Sequence, residues 1–264
     1  MTDETNLATP SFADTAPRRI GLIVPSSNTT METEIPALLA GMTEPHTFHS
    51  SRARLHTVDA DSLAKMVADS DRCAAELADA RVDVIAYACL VAVMSAGPGA
   101  HERIEDQLTA ATRANGCDAP VVSSAGALVR TLVDLGLRNV AVVAPYVPAL
   151  TKTVIAYLRG YDINVVDWVT LGVAGNCDVG QLDPDSLLNH ARTLDLSHAD
   201  GLVLSACVQM PSLPAVETVE QALGVPVITA ATATTREILQ AIGEQPVAAR
   251  GGHALRDVRI GVTS

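Results

Sequence analysis

Arg19-Ile20-Gly21-Leu22-Ile23-Val24-Pro25 and Asn139-Val140-Ala141-Val142-Val143-Ala144-Pro145 carry one pattern twice, 120 residues apart. Each is a short apolar run closed by a proline, the form of a strand buried in a parallel sheet. A second pair follows at nearly the same interval. Val82-Asp83-Val84-Ile85-Ala86-Tyr87-Ala88-Cys89 matches Asp200-Gly201-Leu202-Val203-Leu204-Ser205-Ala206-Cys207, and the two cysteines lie 118 residues apart. Near-equal offsets imply one α/β unit used twice. In each copy one strand ends in Pro and a later strand ends in Ala-Cys.

The chain between these landmarks alternates. Helical stretches are predicted at 31–40, 61–80, 100–114, 125–135, 150–159, 184–193 and 231–242. Further strands are predicted within 46–55 and at 120–123, 164–167 and 225–228. Strands alternating with helices imply parallel sheets covered on both faces. The expected fold is therefore α/β, with two similar doubly wound parallel-sheet units related by a pseudo-twofold axis. The first unit spans 18–136 and the second 137–245. Residues 1–17 are polar, carry Pro10 and Pro17 and lack periodicity, so they read as a disordered tail. Residues 246–264 read as a loose tail or short closing segment, with a possible strand at 258–262.

Composition narrows the function. Aromatics are 3% of 264 residues, so Ala, Val and Leu must fill the core. A net charge of -12 disfavours nucleic acid as a partner. No apolar run reaches the roughly 18 residues of a membrane span. The N-terminus lacks the basic and apolar regions of a secretory signal, so the expected location is the cytoplasm. The cysteines are 73, 89, 117, 177 and 207; five, widely spaced and without C-x-x-C, they suit reduced thiols better than disulfides or zinc. Seven scattered histidines show no metal spacing, and the glycines form no phosphate-binding fingerprint. Neither a metal nor another cofactor is expected.

Ligands in open α/β sheets bind beyond the carboxyl ends of the strands. Two such units packed about a pseudo-twofold axis would bring the loops at Pro25, Cys89, Pro145 and Cys207 into one cleft, with two thiols facing a small ligand. A single free cysteine at a strand end is often just a small buried hydrophobe. A matched pair at equivalent repeat positions favours chemistry. Cys73, in a helical stretch, reads as core. Cys117, in Asn115-Gly116-Cys117-Asp118, reads as a surface turn. Cys177 is a rival thiol without a repeat partner.

Gly21-Leu22-Ile23-Val24-Pro25-Ser26-Ser27-Asn28-Thr29-Thr30-Met31-Glu32-Thr33-Glu34 resembles the opening motif of the maleate isomerases, members of the Asp/Glu racemase superfamily. Tyr87-Ala88-Cys89 and Ser205-Ala206-Cys207 resemble its two cysteine motifs. The resemblance runs from about residue 18 to 243. It is poorer to the racemases themselves, whose cysteines sit in Cys-Asn-Thr and Gly-Cys-Thr-Glu; here Leu90-Val91-Ala92 and Val208-Gln209-Met210 follow. The related aryl-malonate decarboxylases retain one catalytic cysteine, whereas this chain has both.

The resemblance implies isomerisation of maleate to fumarate without a cofactor, by reversible addition of a thiolate to the double bond. It implies Cys89 as nucleophile and Cys207 as the opposing acid/base; the repeat alone makes the two nearly equivalent. Asn28, Tyr146 and Asn176 map to the substrate pocket by the same resemblance, and Leu90, Val91 and Val208 adjoin the thiols. With no Lys, Arg or His beside either cysteine, neutral donors such as Ser26, Ser27, Asn28, Thr29, Tyr146 and Asn176 would hold the carboxylates. Asn28 could instead be a helix cap, and Asn176 sits in an ordinary turn composition. A homodimer is implied by resemblance only. Two readings remain beside this one: a racemase or decarboxylase of a small carboxylic acid, and a non-catalytic carboxylate-binding protein.

Overall fold

The computed structural model describes residues 16–55 and 57–256. All but the last two residues of the expected N-terminal tail, and the possible strand at 258–262, lie outside them. The first half runs β1 (Arg18–Pro25), α1 (Met31–Leu39), β2 (His46–Ala53), α2 (Ala60–Asp79), β3 (Val84–Tyr87), α3 (Leu90–Ser95), α4 (Ala100–Ala114), β4 (Val121–Ser123) and α5 (Ser124–Asp134). The second runs β5 (Asn139–Ala144), α6 (Pro148–Arg159), β6 (Asn164–Thr170), α7 (Asn176–Val179), α8 (Leu187–Ala191), β7 (Gly201–Ser205), α9 (Val216–Leu223), β8 (Val227–Thr229) and α10 (Ala230–Ala241).

Two four-stranded parallel sheets result, ordered β2-β1-β3-β4 and β6-β5-β7-β8. The second order is the first advanced by four strands. The repeat extends to single hydrogen bonds. Asp83 accepts the N–H of Arg19 at 2.7 Å, and Asp200 accepts the N–H of Asn139 at 2.7 Å. Past the strand ends, Ala88 N–H donates to Ile23 O at 2.8 Å and Ala206 N–H to Val143 O at 3.2 Å. Each bond carries the sheet one residue further, to the doorstep of its cysteine. In both sheets the order reverses between the first and third strands, the switch point at which such sheets bind ligands.

The central strands are buried along nearly their whole length, as strands covered on both faces must be. The two halves share more than a border. Helix α10 packs on α5 and also touches β3 and β4 of the other sheet. Arg130 of α5 donates to Glu237 of α10 at 2.6 Å and to Glu105 of α4 at 3.0 and 3.1 Å. No helix among the described residues is long and apolar enough to cross a membrane.

Some elements depart from the sequence expectation. Helices α3, α7 and α9 were not anticipated. The predicted helix at 184–193 is a 3-10 turn, Pro184–Ser186, followed by the short α8. Residues beyond 245 are not all loose: Gly252–Leu255 forms a 3-10 turn whose Ala254 and Leu255 are fully buried against β8 and α10. Cys117 is buried rather than in an exposed turn, and its thiol donates to Val82 O at 3.4 Å. Cys73 is core, as expected.

Glu34 of α1 is a further cross-link between the halves. It is buried, and one carboxyl oxygen accepts the N–H groups of Ser212 (2.6 Å) and Leu213 (2.7 Å). Burial raises its pKa above the usual 4.5 despite those donors. A raised folded-state value means the stability it brings is complete below the unfolded pKa and is lost as pH climbs toward the folded one. Glu34→Gln keeps an oxygen for both N–H groups and removes the titration. Its stability in urea relative to wild type should therefore improve from pH 4 to pH 7, by at most ~1.4 kcal/mol per pH unit. Glu34→Leu removes the same titration but strands both donors, and should stand about 2–3 kcal/mol below Glu34→Gln at any pH. Equal melting curves for the three proteins would refute this.

Candidate active site

Both switch points open into one cavity. Its wall contains Cys89 and Cys207, Asn28 from the β1–α1 loop, Tyr146 from the β5–α6 loop and Asn176 at the start of α7. Leu90, Val91 and Val208 also line it. The structure thus brings together eight of the eleven residues singled out from the sequence; Thr29 lies outside the wall, its N–H donating to Gln209 Oε1 at 2.9 Å. Ser26 and Ser27 lie outside the wall and hold a neighbouring loop instead. Ser26 Oγ accepts the N–H of Leu55 at 3.0 Å, and Ser27 Oγ donates to Leu55 O at 2.8 Å. Pro25, Leu55, Val58, Ala88 and Gln209 complete the wall. Sequence reasoning passed over Leu55 and Val58 because their loop carries no repeat signature.

The cavity is small, about 20 Å³, room for roughly one water. The loop after β2 covers it, and Thr57 of that loop makes an antiparallel bridge to Gly175. Among the described residues, no Lys, Arg, His, Asp or Glu lines the wall. No group of His, Cys, Asp and Glu among them is placed to hold a metal ion.

The polar groups of the wall are tightly engaged. Asn28 does cap α1: its Oδ1 accepts the N–H groups of Thr30 and Met31, each at 3.0 Å. Its Nδ2 reaches across to Val208 O at a long 3.4 Å, leaving donor capacity toward the cavity. Tyr146 OH donates to Ala206 O at 3.0 Å. Asn176 Nδ2 donates to Ser27 Oγ at 2.7 Å and keeps a second hydrogen. The first N–H groups of α3, those of Leu90 and Val91, have no partner within the helix.

The two thiols sit in equivalent places with unequal surroundings. Burial pushes the Cys89 thiol up to about 12; the Ala92 N–H opposes this, and Cys207 adds to it. Burial also raises Cys207, but its neighbours oppose this: the Tyr146 hydroxyl, when its one proton turns from Ala206 O to the sulfur, and the N–H groups of Gln209 and Met210. The Gln209 N–H lies 3.4 Å from Cys207 Sγ. Cys207 is therefore the better placed to carry negative charge. One consequence is measurable in the empty protein. Peptide-mapped alkylation of Cys89 should accelerate about tenfold per pH unit from 7 to 9, without the levelling near ~8.5 of a free thiol. A plateau below pH 9 would contradict it. Cys177 is exposed and will label first, so it serves as the internal reference.

Comparison with known proteins agrees with this geometry. Residues 20–255 match the arylmalonate decarboxylase family. A maleate isomerase from Geobacillus stearothermophilus is 50% identical over 242 residues, covering 90% of this chain and 96% of that protein. Among solved structures, a cysteine-to-alanine variant of the maleate isomerase from Pseudomonas putida S16, with maleate, superposes with a TM-score of 0.90 at 45% identity, covering 92% of this chain and 99% of that one. A cysteine-to-serine variant of the Nocardia farcinica maleate cis-trans isomerase holds a covalently bound succinylcysteine intermediate. It gives a TM-score of 0.89 at 48% identity, covering 91% of this chain and 99% of that one.

Proposed function

The chain belongs to the maleate isomerase family, within the wider arylmalonate decarboxylase family, and on that premise we propose that it converts maleate to fumarate with its own two thiols. The observation that carries the reading is the pair Cys89 and Cys207, delivered by equivalent strand ends into one cavity. No specific observation favours a racemase, a decarboxylase or a simple binder.

The chemistry balances without a cofactor. Cys207 as thiolate takes the proton of the Cys89 thiol while Cys89 Sγ bonds to C2 of maleate. The π pair of the C2–C3 double bond moves to C3, which takes the proton from Cys207. C2–C3 is now a single bond and rotates. Cys207 then removes a proton from C3, the double bond re-forms, and the C2–S bond breaks. Cys89 leaves with the electron pair and recovers the proton. Nothing is oxidised or reduced overall. Asn28, Asn176, Tyr146 and the N–H groups of Leu90 and Val91 are the neutral donors for the carboxylates, while Val208 and the other apolar neighbours keep water off the adduct.

Keeping the anions on neutral donors suits an addition that must be reversible. A fixed cation beside each carboxylate would hold product as firmly as substrate, which lowers KM without raising kcat. A cytoplasmic homodimer is the setting this proposal includes. Proton NMR of the purified protein with maleate, after dialysis against EDTA, tests the function. Fumarate should form at the same rate as without EDTA. Well-folded protein that forms none would sink the reading for maleate and move weight to another small carboxylate.

A further inference from the structure

Gln209 lines the cavity, yet its carboxamide has no donor left to offer a ligand. The side chain is 2% exposed. Nε2 donates to Ser27 O and to Asn176 O, each at 3.1 Å, and Oε1 accepts the N–H of Thr29 at 2.9 Å. Two carbonyls on one end and an N–H on the other fix the amide's orientation. The main chain is engaged as well. Thr30 Oγ1 donates to Gln209 O at 2.7 Å, and the Gln209 N–H points at Cys207 Sγ at 3.4 Å. One residue thus ties three loops: the one bearing Cys207, the one bearing Asn28 in the other half, and the one bearing Asn176.

We propose that Gln209 is a positioning residue: its amide sets the placement of the Cys207 thiol relative to Asn176 and Asn28. The inference rests on the reading of Cys207 as a working thiol. Neighbouring side chains could not replace it. Glutamate would supply no donor to the two carbonyls, methionine would fill the space without hydrogen bonds, and asparagine is one methylene too short to reach them. The room for the amide is also specific. Gly180 has an ordinary φ of −69°, so a side chain there would meet no backbone strain. A Cβ at that position would nevertheless stand 2.5 Å from Gln209 Nε2 and 3.2 Å from Thr29 Oγ1. Gly180 is therefore needed for space, and Gly180→Ala displaces the amide without deleting it.

The test uses Gln209→Met, Gln209→Glu and Gly180→Ala in the full chain, with two readouts. In steady-state kinetics with maleate, each should lower kcat by about tenfold or more with a smaller change in KM, because misplacement acts on the reacting geometry. In a Cys89→Ala background, the pH midpoint of Cys207 alkylation should rise by roughly half a unit or more, as the donors around its sulfur loosen. The second readout needs no turnover, so it decides the inference even if maleate proves not to be the substrate. Absence of fumarate from wild type alongside a shifted midpoint would reject the function and keep the positioning role. A lower melting temperature with unchanged kcat, KM and alkylation midpoint would overturn it, leaving Gln209 a stability residue only. Should Gln209→Met fail to fold, Gly180→Ala carries the same two readouts.

Discussion

Cys89→Ala is expected to abolish fumarate formation, with kcat reduced by roughly 10⁴-fold or more and melting temperature little changed. The thiol is buried and free, and alanine removes one sulfur from the wall without adding volume or charge. Stability should fall by no more than ~1–2 kcal/mol. Chemistry should fall far more, since rotation about C2–C3 needs a bond to Cys89 and Cys207 sits on another strand end. Serine at the same position should not restore it, because a hydroxyl buried in that place would ionise even less readily than the thiol at about 12. Proton NMR against protein of verified fold decides it: activity within tenfold of wild type would remove Cys89 as nucleophile.

Cys207→Ser should lower kcat by about 10²–10³-fold, the usual weight of a lost acid/base, and should do something Cys89→Ala cannot. With the relay weakened, the step that takes the proton back from C3 is slowed, and the adduct lingers. Intact-mass measurement after incubation with maleate should show one added substrate molecule, mapped by peptide to Cys89. An adduct on any other cysteine would reassign the nucleophile. No adduct together with full activity would remove Cys207 from the chemistry.

Much of this arrangement was legible from the repeat. The paired prolines and paired cysteines predicted parallel strands ending at a shared cleft, and the two sheets have that topology. Buried parallel strands announce themselves as Val/Ile-rich runs with punctual ends, so their positions could be read. Helix α3 could not, because all but one of its six residues are buried and it shows no amphipathic period. Helix α9 was legible but passed over: Val216 and Val219 face inward at helical spacing. The turn at 252–255 is short and glycine-flanked, and only its docking on β8 and α10 orders it.

The site divides along a similar line. Residues attached to strand ends, such as Cys89, Tyr146 and Cys207, follow from position. Gln209 does not, because its role depends on where loops of both halves meet, nearly 180 residues apart in sequence. The inequality of the thiols was equally hidden. The repeat makes them equivalent, whereas the Gln209 and Met210 N–H groups and the Tyr146 hydroxyl crowd only one of them.

That inequality has a stereochemical outcome. Maleate and fumarate are both achiral, and exchanging C2 with C3 leaves either unchanged. The cavity has no such symmetry: one sulfur stands at the N-terminus of α3, the other in a loop gripped by Gln209. A bound maleate therefore shows Cys89 one carbon and one face, and bonding there creates a stereocentre of a single configuration. The enzyme passes between two achiral diacids through one enantiomer, whose handedness belongs wholly to the protein and vanishes when the carbon–sulfur bond breaks.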